Sequence, residues 1–264
     1  MRCRMGFRTI AITKRAKLNL TMGFLEVRGE ETKRIFLDDI DILLIENQAE
    51  MIPYYGSGDS SRKIRKQITW SNEIKTQIWT AIVREKIWKQ AMFLHELEKH
   101  REEELLLRYL DELSPGDQTN REGLAAKVYF NGLFGMEFKR EEETAVNAAL
   151  DYGYSLILST VNKEIAYNGY ITQLGLFHNN IYNPFNFASD LMEPFRILVD
   201  RIVYANMFTK FGTDEKHEML HLLEKEIKIG DSKQVFTNGV RIYVRSVFDA
   251  LCDENPEEIL FYSI

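Results

Sequence analysis

The sequence predicts an α+β protein, with a small β-rich N-terminal domain followed by a larger all-helical C-terminal domain, and three observations carry that expectation. Short apolar or alternating runs fill residues 7–46, a Gly- and Ser-containing stretch interrupts the pattern at residues 53–61, and apolar residues then recur at helical spacing. A chain of 264 residues, 45% of them apolar, can bury a substantial core and divide into two unequal parts. The expected boundaries are 1–52 for the β-rich domain, 53–68 for a linker and 69–264 for the helical domain.

Taken in order, Arg8-Thr9-Ile10-Ala11-Ile12 alternates, residues 17–27 form a run broken at Met22-Gly23, and residues 33–45 are rich in Ile, Leu and Phe. Each reads as a strand. Pro53-Tyr54-Tyr55-Gly56-Ser57-Gly58-Asp59 breaks either period. Beyond Thr69, the residues Ile74, Ile78, Trp79, Ile82, Val83 and Ile87 form the buried stripe of a helix. Helix breaks are expected at residues 114–117, 132–135, 168–169, 183–184 and 211–214. Leu191, Phe195, Leu198 and Ile202 mark another buried stripe, with Asp190 and Glu193 on one flank. Pro194 removes a helical hydrogen bond there and reads as a kink or first-turn residue.

Composition limits the function classes. Cys3 and Cys252 are the only cysteines, too few for a disulfide framework or a four-thiolate zinc site, which suits a reducing cytosol. No run approaches the roughly 20 apolar residues of a membrane span, and no signal peptide is read at the start, so a soluble protein with no membrane partner is expected. The net charge of −6 opposes general nucleic-acid binding. Arg62-Lys63-Ile64-Arg65-Lys66 is nevertheless a dense local basic run, either a solvated face or a phosphate-binding patch.

Glu122, His178 and a second acid near residue 193 lie on elements that can converge, and an imidazole with two carboxylates is a set suited to Mg²⁺ or Mn²⁺. Each has a simpler reading. Thr119-Asn120-Arg121-Glu122 fits a capping box, which by itself accounts for Glu122. His178 follows an apolar stretch and can be a hydrogen-bonded structural histidine. Glu193 can pair with Arg196 or Arg201 at the surface. A competing motif, His217-Glu218-Met219-Leu220-His221, matches the H-E-x-x-H pattern of zinc peptidases. No His follows His221, Glu224 stands where the extended motif has Gly, and Leu220, Leu223 and Ile227 favour an ordinary amphipathic helix.

Assembled, these segments resemble the CRISPR-associated endonuclease/integrase, the catalytic subunit of the spacer-acquisition complex, and most of all its type II branch. The resemblance runs from about Pro53 to Lys210, through Asn120-Arg121-Glu122-Gly123, Ala125-Ala126-Lys127-Val128-Tyr129-Phe130, Asn147-Ala148-Ala149-Leu150-Asp151-Tyr152-Gly153-Tyr154, the His178 segment and Ser189-Asp190-Leu191-Met192-Glu193-Pro194-Phe195-Arg196. It implies that Glu122, His178 and Glu193 hold a catalytic Mg²⁺ or Mn²⁺, with Asp190 supporting the site. It further implies a cytoplasmic prokaryotic homodimer acting on double-stranded DNA, both an incoming fragment and a repeat array. The implied partners are a small ferredoxin-like adaptation subunit and, in type II systems, the effector nuclease and a ring-shaped accessory protein.

On that reading Arg62, Lys63, Arg65, Lys66, Lys127, Lys139 and Arg140 are expected phosphate contacts, and Tyr152 and Tyr154 can stack on bases. One departure stands out. Where the family places a further helix and strand, Ala49-Glu50-Met51-Ile52 runs almost directly into Pro53, so either that segment is deleted or, the reading favoured here, residues are missing between Glu50 and Met51. Two alternatives remain: a zinc peptidase using residues 217–221, and a catalytically inert dimeric scaffold that binds DNA or partners.

Overall fold

The computed structural model describes residues 17–21, 24–28, 33–36 and 59–263. The chain divides into two compact units, residues 1–50 and 51–264. In the first, β1 (Lys17–Thr21), β2 (Phe24–Arg28) and β3 (Lys33–Phe36) form an antiparallel meander in the order β1-β2-β3. The register pairs Leu18 with Val27 and Leu25 with Ile35. The strand expected at residues 8–12, Cys3, the Glu50–Met51 junction and the loop at residues 53–58 lie outside the described residues.

The second unit is built on helices. They are α1 (Ser60–Thr69), α2 (Asn72–Glu96), α3 (His100–Asp111), α4 (Arg121–Phe134), α5 (Ala145–Tyr167), α6 (Asn186–Leu191), α7 (Arg196–Asn206) and α8 (Thr213–Leu220). Helix α1 occupies most of the span read from the sequence as linker. The long helix α2 is the centre of the core. Its start is fixed by Ser71, whose hydroxyl accepts from the backbone of Ile74 at 3.2 Å, the usual way of satisfying an orphan N–H. Ile78, Ile82, Val83 and Ile87 are completely buried, as the apolar spacing requires. Helix α2 packs against α3, α4 and α7.

The all-helical expectation fails near the C-terminus. Residues 226–235 form a hairpin of β4 (Glu226–Ile229) and β5 (Ser232–Val235), followed by α9 (Phe236–Asp253) and β6 (Tyr262–Ser263). The sheet order is β5-β4-β6. Ile229 pairs with Ser232, leaving Gly230-Asp231 as a two-residue connection, and Gly230 takes φ +57°, a conformation tight hairpins need and glycine adopts without strain. The sheet supports the helical core directly. Tyr262 on β6 is buried, donates to the carbonyl of Pro194 at 3.0 Å and stacks on Phe195 with ring centres 4.9 Å apart.

Pro194 marks a real break. Helix α6 stops at Leu191, Glu193–Phe195 form a 3₁₀ turn, and α7 begins at Arg196. The break lets the chain present Asp190, Glu193 and Arg196 from successive short elements. Among the described residues no helix is long and apolar enough to cross a membrane.

Candidate metal and phosphoryl-transfer site

Glu122 is the second residue of α4. The expected capping box is corrected by the structure: Asp117 accepts from the backbone N–H groups of Arg121 at 2.7 Å and Glu122 at 2.9 Å. That relieves the Glu122 side chain of any capping role, and its Oε1 accepts instead from the ammonium of Lys86 on α2 at 2.5 Å. The same ammonium pairs with Glu193 Oε2. Glu193 is 3% exposed, not a surface residue, and its Oε1 accepts from Arg196 Nε at 2.9 Å. Arg201, the other partner considered, pairs with Glu96.

Two carboxylates from separate elements therefore turn onto one cation. Burial opposes the charge of Lys86, but Glu193 and Glu122 outweigh it and hold its pKa above the ordinary value. Burial likewise pushes Glu193 up, yet Arg196 and Lys86 more than offset this and keep its carboxyl below the usual range.

His178 sits in the irregular connection between α5 and α6, and that connection is held by side chains. Asp190 accepts from the backbone N–H groups of Leu176, Phe177 and His178 at 2.5, 3.2 and 3.1 Å, and its Oδ1 lies 2.6 Å from His178 Nδ1. Gly175 makes this cradle possible, because a Cβ there would meet the His178 carbonyl oxygen and come 2.6 Å from Asp190 Oδ2. Asn186 and Gln67 hold the rest. Asn186 donates to the carbonyls of Gln173 and Asn180, and Gln67 on α1 donates to those of Ile171 and Leu174.

The His178 ring stands edge-on to Trp79, on which Phe177 stacks with ring centres 4.7 Å apart. The bond from Nδ1 to Asp190 fixes the ring and leaves Nε2 as the other donor atom, the arrangement metal-bound histidines use. The same bond raises the His178 pKa, against the opposing effect of burial, with Asp190, Glu193 and Glu122 adding their fields.

The three expected ligands fit a divalent ion in kind, a hard oxygen pair plus an imidazole whose Nδ1 is already committed. In this structure Lys86 supplies the positive charge between the two acids. Among the described residues Glu122, His178 and Glu193 do not each bring a donor atom within 4.8 Å of the others. Sequence reasoning misses Lys86. Its one signal is a lysine at i+3 from Val83 on the apolar face of α2.

It misses Asp200 as well. This fully buried carboxylate, one turn beyond Arg196, accepts from Tyr129 at 3.0 Å and from Tyr154. Burial pushes its pKa up to about 6, against the lowering effect of both tyrosine hydroxyls.

The expected DNA contacts separate. Arg65, Lys66 and Lys127 are exposed. Arg62 and Lys139 are exposed too but paired, Arg62 with Asp59 at 2.5 Å and Lys139 with Glu142 at 3.6 Å, while Lys63 lies over the Tyr170 ring. Arg140 binds Asn147 and Asp151. Tyr152 packs against Phe211, and Tyr154 is buried with its hydroxyl on Asp200, which corrects its expected role as a stacking platform. The H-E-x-x-H segment is also corrected: α8 ends at Leu220, His221 opens a 3₁₀ turn, and both histidines are exposed. Its core side is Met219, Leu222 and Leu223, while Leu220 is exposed.

Comparison with known proteins places this geometry in context. The family described as CRISPR associated protein Cas1 matches residues 22–219. A CRISPR-associated endonuclease Cas1 of Neisseria meningitidis serogroup C is 32% identical, with 75% of each chain covered. Among solved structures, a casposase bound to integration product superposes with a TM-score of 0.64 at 16% identity, covering 91% of this chain and 94% of that one. A chain of a partial Cas6-RT-Cas1–Cas2 complex superposes with a TM-score of 0.65, also at 16% identity, covering 97% and 98%.

Proposed function

The chain belongs to the CRISPR-associated Cas1 family, and from that premise we propose that it is a divalent-metal-dependent DNA integrase and endonuclease, which inserts short DNA fragments into a repeat array. The observation that carries the reading is the convergence of Glu122 and Glu193 on one cation beside the His178 loop. Glu122, His178 and Glu193 would hold Mg²⁺ or Mn²⁺, which when bound supplies Lewis-acid charge at a phosphodiester. Asp190 holds the His178 ring in position by its bond to Nδ1, and Arg196 keeps Glu193 ionised. The attacking group is the 3′-hydroxyl of the incoming DNA, in line with the departing 3′ oxygen of the repeat. The chain contributes position and charge but no covalent nucleophile.

Its substrate on this reading is double-stranded DNA. The working unit is a homodimer joined to a small ferredoxin-like subunit, with a type II effector nuclease and a ring-shaped accessory protein as further partners. A prokaryotic cytoplasm would be the setting. Helix α1 supports the DNA assignment, since it exposes Arg65 and Lys66 while Gln67 fastens it to the loop that carries His178.

The test is strand transfer on a branched DNA that mimics a half-integrated product, with Mn²⁺ or Mg²⁺, comparing the parent with His178→Ala. Metal-dependent resolution lost in the variant is the expected result. Activity that survives in the variant would place the chemistry elsewhere, and no activity in either protein would favour an inert scaffold.

A further inference from the structure

We propose a second divalent-metal site, made by His95, His100 and Glu103 at the corner between α2 and α3 and suited to a transition ion such as Zn²⁺ rather than Mg²⁺. Among the described residues this is the group of His, Cys, Asp and Glu side chains that brings three donor atoms within 4.8 Å of one another. His95 lies in the last turn of α2, and His100 opens α3 with Glu103 three residues on, where spacing puts both on one face. The intervening corner reverses the chain through Glu98 in a left-handed conformation at φ +58°. Two backbone bonds lock it, Glu98 N–H to the carbonyl of His95 and Lys99 N–H to that of Leu94, each at 2.9 Å. The histidines come together because the backbone is fixed.

The donor spacing is close to that of an ion's ligands. His95 Nδ1 lies 3.0 and 3.1 Å from the two Glu103 oxygens, and His100 Nδ1 lies 3.1 Å from Glu103 Oε2. Ligands about 2.0–2.1 Å from a tetrahedral zinc stand about 3.3 Å from one another, so the two imidazole–carboxylate separations need shifts of only a few tenths of an ångström, and the two imidazole donors stand within 4.8 Å of each other. The two rings meet at 63°, with centres 5.8 Å apart, so they converge without stacking.

Glu103 gives the second reason. Its side chain is only 13% exposed, and among the described residues its ion-pair partners are these two imidazoles, with no Lys or Arg. The carboxylate therefore has no lysine or arginine counter-ion among the described residues, and a metal would supply that positive charge. Two imidazoles and one carboxylate select for zinc, cobalt or nickel over magnesium. The side chains of His95 and His100 are 60% and 63% exposed, which leaves the remaining coordination to water.

The site is distinct from the centre around Lys86. His95 follows Lys86 on α2 by nine positions, two and a half helical turns, which places it about 14 Å along the axis and on the opposite face. A bound ion would pin the end of α2 to the start of α3 without touching the proposed phosphoryl-transfer groups.

The experiment strips the full chain of metal with a chelator and titrates it with ZnCl₂ by calorimetry, with metal content measured in parallel. The parent, His95→Gln, His100→Gln, His178→Ala and His217→Gln are compared. Expected are one zinc per chain at micromolar free zinc in the parent and in the His178 and His217 variants, and a loss of at least about tenfold in affinity in the His95 and His100 variants. Zinc should also raise the parent's melting temperature but not that of His95→Gln. Equal zinc binding by the His95 and His100 variants, loss with the His178 or His217 variant instead, or no binding at micromolar zinc would each overturn the proposal. Both imidazoles are mostly exposed, so the two decisive substitutions leave the packed core intact.

Discussion

Lys86 donates to Glu122 across 2.5 Å while also pairing with Glu193, so a buried ammonium on the central helix joins two acids that the family resemblance assigns to a metal. Such an arrangement makes the positive charge at this spot a requirement of the fold as well as of the proposed chemistry. Removing one member of a buried ion pair strands the others at a cost of about 3–5 kcal/mol, and here Arg196 still offsets Glu193, which argues for the lower end. Lys86→Met should therefore lower unfolding free energy by about 3 kcal/mol in chelator, with Mn²⁺ restoring part of it. Urea unfolding with and without Mn²⁺ checks this. A variant as stable as the parent, or blind to Mn²⁺, would mean that the two acids do not share a cation site.

The contrast between what the sequence discloses and what it hides follows the distance over which each feature is encoded. Helix α2 is legible because Ile74, Ile78, Ile82 and Ile87 repeat at the helical period, and Pro194 announces a break by its missing N–H. The hairpin of β4 and β5 is lost in a polar stretch, although Gly230-Asp231 is the turn signal available. Thr119 looks like the cap of α4 because its spacing to Glu122 fits, yet Asp117, two residues before it, accepts from the N–H groups of Arg121 and Glu122. Lys86 and Asp200 are invisible as site residues, since their partners come from other helices and no local pattern predicts a buried charge pair.

Gly175 has a role that only the folded loop reveals. Because a methyl group there would strike the His178 carbonyl and Asp190, Gly175→Ala should displace the cradle that orients His178. Overpacking of this kind costs about 1–3 kcal/mol, while misorienting a ligand through its supporting group costs about 10–100-fold in metal affinity or activity. Strand transfer should fall by that factor with the helical core still folded by circular dichroism. Full activity in Gly175→Ala would show that the cradle need not be rigid.

Asp190→Asn separates charge from shape at the same place. The bond to Asp190 is the main cause of the raised His178 pKa, so the variant should titrate His178 at lower pH in an NMR titration, while its amide oxygen still accepts a backbone N–H. An unchanged titration would deny Asp190 its electrostatic role.

Asp200 gives a pH dependence whose sign is fixed by burial. Its folded pKa of about 6 lies above the ordinary aspartate value of 3.8, so the stability tied to its protonated form is present below pH 4 and lost as pH rises through 6. At about 1.4 kcal/mol per pH unit, that interval puts the effect on the order of 3 kcal/mol. Asp200→Asn cannot ionise, so its stability relative to the parent should improve between pH 4 and 6. Parallel pH curves for the two proteins in chemical denaturation would show that Asp200 does not titrate there.

Helix α1 sets the last expectation, because its basic residues differ in how free they are. Arg62, though exposed, is held by Asp59, and Lys63 lies against Tyr170, whereas Arg65 and Lys66 are exposed on the helix whose Gln67 anchors the His178 loop. Each B-DNA phosphate that a variant no longer neutralises reduces the slope of log affinity against log salt by about 0.9. The pair Arg65→Gln and Lys66→Gln should therefore lower that slope by about 2, with weaker binding at every salt concentration, and Arg62→Gln should change it less because Asp59 already neutralises the guanidinium. Fluorescence anisotropy with duplex DNA across a salt series distinguishes these outcomes. If the double variant keeps the parent's slope, the basic run is a solvated face and the DNA path must lie over Lys127 or elsewhere; if Arg62→Gln has the larger effect, the Asp59 pair opens when DNA arrives.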